Sequence, residues 1–126
     1  MKPIYLVLLG SIVLVSGDAF DSATTAIALL NPVFAGEFFE ASDPFIRLFM
    51  YDLGLAKTGF IIGLILSLSL DVILIYAAYS QSRSYTMSSF GTIVLFMIFL
   101  GLGHWAAGYS NLQLLQAYAP SGFPLW

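Results

Sequence analysis

Cysteine is absent from the 126 residues, and charge is scarce: four Lys or Arg, seven Asp or Glu and one His. The missing cysteine excludes disulfides, thiolate zinc sites, iron–sulfur ligation and a thiol nucleophile together. The scarcity of charge excludes an ordinary soluble surface. A soluble domain carries about 25% charged residues, and here the figure is 9%. No basic stripe runs through the chain, so a nucleic-acid partner is not expected. No G-x-S-x-G elbow occurs and no serine is marked out as a nucleophile. No catalytic residue is assigned, and an accessory role is expected over that of an enzyme.

What is present is apolar. Hydrophobic residues make up 60% of the chain, and the mean hydropathy is +0.93. The lipid bilayer is the solvent that suits such a surface. Crossing its core takes about 20 apolar residues in a helix. Three stretches are long enough: about 4–30, 55–79 and 90–110. The expected fold is an all-α integral membrane protein of three transmembrane helices in one domain, 1–126. The N-terminus, "MKPIYLVLLGSIVLVSG", is built like a secretory signal. Its apolar run resumes after Thr25, longer than a signal core, and it reads as a retained membrane helix.

Between the first two spans, residues 31–54 hold four acids, Arg47 and several Phe. Asp43 before Pro44 is a helix-start signal, so a short interfacial helix is expected near 44–52. Orientation follows from Lys and Arg near the spans. Lys2 precedes the first and Arg83 follows the second, which predicts a multi-pass cell-membrane protein with its N-terminus inside and the acidic loop 31–54 outside. Lys57, one turn into the second span, is expected to snorkel outward. Tyr5, Tyr79, Tyr85, Tyr109, Tyr118 and Trp126 fall near the expected borders, where amphipathic rings settle.

The polar residues within the spans are the candidate site. Asp18, Asp21, Ser22 and Thr25 follow i, i+3, i+4, i+7, which places them on one helix face. A carboxylate facing lipid costs about 2.5–3.5 kcal/mol on insertion scales, so this face should point into protein or a wet cavity. Asp71 in the second span and His104 in the third come out near the same depth if the helices alternate in direction. Their convergence with Asp18 and Asp21 would suit proton or cation handling. Carboxylates with an imidazole would also suit a divalent metal, so Asp18, Asp21, Asp71 and His104 are the candidate metal ligands. The simpler reading is that these groups hydrogen-bond across helices and fix their packing. Beyond a divalent metal, no cofactor is implied.

Small residues mark close helix contacts. Gly59 and Gly63 form a G-x-x-x-G, and Gly103 and Ala107 repeat the spacing. Contact within the chain and contact with another chain fit this pattern equally.

Several short matches resemble the DUF5658-like group of small prokaryotic integral membrane proteins. "DSATT" supplies Asp21, Thr24 and Thr25 of an Asp-x-x-Thr-Thr in the first helix. "EASDP" supplies Glu40 and Pro44 of a Glu-x-Asn-Pro, with one extra residue and Asp43 in place of Asn. "LGLAK" supplies Gly54 and Lys57, and "SNLQLL" supplies Asn111. The resemblance spans about residues 5–115. It implies a polytopic membrane protein and carries no established activity.

The expected function is that of a non-catalytic small membrane subunit. It would pack within a larger membrane complex or against copies of itself, with the bilayer as its other partner. The alternatives are an oligomeric proton or cation conductor using the intramembrane Asp and His, and a metal site within a redox or oxygenase assembly.

Overall fold

The computed structural model describes residues 3–30, 56–84 and 87–119. They form three helices: α1 (Pro3–Leu30), α2 (Ala56–Ser84) and α3 (Met87–Tyr118). Each is long and apolar enough to cross a membrane, and no strand occurs among the described residues. The chain is an all-α, multi-pass membrane protein whose apolar helix surfaces suit contact with lipid. The expected interfacial helix near 44–52 and the acidic loop 31–54 lie outside the described residues, as do Tyr85, Trp126 and the side chains of Lys57 and Tyr118.

Two helices run past the core of their expected spans, the last of them as far as Tyr118, one of the residues expected at a border. α2 continues past Tyr79 to Ser84. There the Ser82 hydroxyl caps the Tyr79 carbonyl at 2.6 Å, and the Arg83 guanidinium lies 4.8 Å from the centre of the Tyr79 ring. α3 continues past residue 110 to Tyr118. Its extra turns are held by packing of Leu115 against Ala28 at the end of α1. Tyr109, expected at a border, therefore lies well inside α3.

The principal contact is between α1 and α3, which run parallel and side by side along their length. On α1 the inward residues are Val7, Gly10, Leu14, Gly17, Asp21, Thr24 and Ala28, alternately three and four apart. On α3 they are Phe90, Val94, Met97, Gly101, His104, Gly108, Asn111 and Leu115, spaced the same way. An inward line of period 3.5 is the signature of left-handed, coiled-coil-like packing. Glycines bring the two backbones into contact along this line. A Cβ placed on Gly17 would stand 2.2 Å from the Gly101 carbonyl oxygen, and one on Gly101 would stand 2.5 Å from that of Val13.

α2 runs antiparallel to both. Ser67 reaches Asp18, and Ala78, eleven residues on, packs among Val7, Leu14, Phe90, Val94 and Met97. Its inward line, Ser67, Asp71, Leu74 and Ala78, is thin. Only 6% of its apolar span is buried, against 28% for α1 and 22% for α3. The bundle is thus layered along its axis. One half is an apolar core, the middle is polar, and the far end closes on Ala28 and Leu115.

Candidate polar site between the helices

The polar stripe of α1 faces inward and divides between its two neighbours. Asp18 turns to α2, where its Oδ1 accepts a hydrogen bond from the Ser67 hydroxyl at 2.8 Å. The Ser22 hydroxyl, one turn along α1, approaches the same oxygen at 3.5 Å. Asp21 turns to α3. Its Oδ2 lies 2.9 Å from His104 Nδ1, a bond the ring N–H donates when the carboxylate is ionised. Its Oδ1 accepts from Asn111 Nδ2 at 3.1 Å.

Asn111 ties this group together. Its amide also reaches Thr25 Oγ1 at 3.0 Å and Thr24 Oγ1 at 3.4 Å. An NH2 group has two hydrogens, so the longest of the three contacts is the weakest. Thr24 in turn donates within α1, to the carbonyls of Phe20 and Asp21 at 3.0 and 2.9 Å. Such back-bonding satisfies a hydroxyl where water is absent. One turn nearer the apolar core, the Trp105 indole donates to the Ser16 hydroxyl at 3.2 Å, and its ring packs on Phe20 with centroids 4.9 Å apart.

Asp71 is placed differently. It is 3% exposed, and its Oδ2 is a buried oxygen with no hydrogen-bond partner among the described residues. It stands one helical turn beyond Ser67 and lies within electrostatic reach of Asp18 and His104.

Of the four candidate metal ligands, the structure joins His104 to Asp21 and sets Asp18 beside Asp71. Among the described residues no group of three or more His, Cys, Asp or Glu is gathered as a metal site would require. The physical reason is that the α1 carboxylates, three residues and so about 60° apart around the helix, meet different neighbours, Asp18 bonding Ser67 of α2 and Asp21 bonding His104 of α3. Three of the four proposed packing residues are also placed elsewhere than between the chain's own helices. A Cβ on Gly63 or Gly103 would meet nothing within 4 Å, and Ala107 is exposed. Gly59 is half-buried. Close contact within the chain is made by Gly17, Gly101 and Gly108, where an added Cβ would come within 2.5 Å of α1 or α3 atoms.

Sequence reasoning from composition and spacing missed Ser67 and the central place of Asn111. A signal for Asn111 exists: it follows His104 by seven residues, as Thr24 follows Gly17, on lines that repeat every seven.

No family model matches the chain, and no curated protein or solved structure is significantly similar to it. The site's chemistry is accordingly argued from its geometry. Asp21, His104, Asn111 and the two threonines satisfy one another and clamp α1 to α3. That arrangement suits holding two helices in register.

Proposed function

We propose that this chain is a non-catalytic small membrane subunit that assembles laterally, with copies of itself or with the helices of a larger membrane complex. The observation that carries the reading is the outward position of its unused small residues. Gly63 stands in open space on α2, and Gly103 with Ala107 does so on α3. Glycine in a membrane helix costs packing area and helix stability, and it is favoured where another backbone approaches. The chain's own backbones approach elsewhere. The inner polar groups support the same reading, since Asp21, His104 and Asn111 bond to one another across the helix interface.

By the distribution of Lys and Arg, the N-terminus and the end of α2 that carries Arg83 lie in the cytoplasm, and the acidic segment 31–54 faces outward. Kinship with the DUF5658-like group is part of the proposal and rests on the motif residues named above.

Native mass spectrometry of the full chain, released from membranes without cross-linker, tests assembly directly. The expected species is a multiple of the 13.7 kDa chain or a complex of fixed stoichiometry with other membrane chains. A lone 13.7 kDa species overturns the proposal.

A further inference from the structure

Every carboxyl outside the segment 31–54 lies inside a membrane span: Asp18 and Asp21 on α1, and Asp71 on α2. α3 faces them with His104 as its imidazole. Arg83, the one basic side chain described, is stacked on Tyr79 toward the end of α2. Even with His104 protonated, three carboxylates and one imidazolium leave two negative charges in the polar layer. Charge of one sign in a low-dielectric interior requires compensation.

His104 hydrogen-bonds Asp21, at 2.9 Å. No described basic side chain pairs with Asp18 or Asp71. Their positions converge: Ser67 bonds Asp18 at 2.8 Å, and Ser67 and Asp71 are i, i+4 neighbours on one face of α2, about 5–6 Å apart at Cβ. Asp71 is nine-tenths buried and more, and its Oδ2 lacks a donor. A buried oxygen in that condition implies an occupant beyond the protein's own groups. The Ser67 hydroxyl gives its hydrogen to Asp18, which leaves its lone pairs free as a neutral ligand.

We propose that Asp18 and Asp71 hold one small monovalent cation between them, with Asp71 Oδ2 as its main ligand and the Ser67 oxygen beside it. A divalent ion such as calcium asks for about six to eight oxygens, and no group of three acidic or imidazole ligands assembles here among the described residues. Two sources supply the same chemistry: a proton, on the carboxyl or carried by water, and a sodium ion. Either satisfies the orphaned oxygen and removes one of the two charges.

The test uses the full chain in nanodiscs of uncharged lipid, with choline as the starting salt cation. Infrared spectroscopy follows the carboxylic-acid C=O band, and thermal unfolding follows occupancy, since a ligand that binds only the folded state raises Tm with its concentration. A band that Asp71→Asn removes, and that persists when sodium chloride replaces choline chloride, identifies a proton. A saturable rise in Tm with sodium, lost in Asp71→Asn, identifies sodium. Absence of both signals, or their survival unchanged in Asp71→Asn, overturns the proposal. Should that variant not fold, Ser67→Ala decides, because it keeps both carboxyls. It is expected to weaken sodium several-fold or to move the pH at which the band disappears, and no change in either readout overturns the site.

Discussion

Two contacts hold the three helices together, and they are built on opposite lines. The α1–α3 contact is long, is closed by glycine backbones and contains Asp21, both of whose oxygens are bonded. The α2 contact is thin and contains Asp71, an oxygen of which has no partner among the described residues. Asp21 is the more exposed of the two, its side chain 20% accessible against 3% for Asp71 as a residue. Burial and satisfaction are therefore separate properties. An acid that serves packing is recognised by its bonds. An acid that is more deeply buried and yet unbonded points to something that comes and goes.

This contrast can be broken most severely at the glycines. Gly101→Ala would put a Cβ 2.5 Å from the Val13 carbonyl oxygen and 2.7 Å from the Leu14 Cα, both backbone atoms. Neither can swing aside as a side chain can, so the cost should reach about 3 kcal/mol or more, the upper end for overpacking. Gly63→Ala meets open space and should change stability in a monomeric preparation by no more than about 0.5 kcal/mol. Reversible unfolding in detergent, followed by helical circular dichroism, measures both. Equal losses at the two positions would mean that the helices are not arranged as described.

The next comparison sets the two acids against each other. Asp21→Asn keeps both partners only if His104 moves its ring proton to Nε2, so that Nδ1 accepts from the new amide; otherwise a donor faces a donor. A loss of about 1–3 kcal/mol is expected for the donor left unpaired. Asp71→Asn breaks no bond to the protein's own groups, and in choline salt, without sodium, it should be neutral or stabilising. The same unfolding assay ranks them, and a larger loss at Asp71 would reverse the roles assigned here.

Asn111→Ala should cost about 1–2 kcal/mol, two to three interhelical bonds at about 0.6 kcal/mol each in a membrane setting. Combined with Asp21→Asn it should cost less than the sum of the two, because the variants share a bond. Among the variants that remove an interhelical bond, the smallest loss belongs to Ser67→Ala, about 0.6 kcal/mol for one hydroxyl bond. These differences locate the polar stabilisation in the α1–α3 contact rather than the α2 contact.

Much of this architecture is legible in the sequence, for reasons particular residues make plain. Three apolar runs are bound to become spans because their backbone groups must be bonded internally in lipid. The inward turn of Asp18, Asp21, Ser22 and Thr25 follows from their spacing and the cost of facing lipid. What spacing on a single helix leaves open is which neighbour each residue meets. Asp18 and Asp21 are three apart, and that rotation alone sends one to α2 and the other to α3. The glycines show the same limit. Gly59, Gly63, Gly103 and Ala107 match the familiar four-residue spacing, yet Gly10 with Gly17 and Gly101 with Gly108, seven apart on facing helices, line the contact. The period becomes visible only when two helices are read against each other. Ser67 is hidden in "LSLSL" because Ser69, two residues on, is its equal in sequence, while its hydroxyl is spent on the carbonyl of Ile65.

The parallel pairing of α1 with α3 inside one chain is the central claim, and the absence of cysteine makes it simple to test. A Cβ on Gly10 would lie 3.6 Å from the Met97 Cβ, within the range of about 3.5–4.5 Å that a disulfide spans. In the variant carrying both Gly10→Cys and Met97→Cys, mild oxidation in the membrane should close a bond within each chain. Non-reducing electrophoresis should then show a faster-moving monomer. No cross-link, or one that joins only separate chains, would contradict the account.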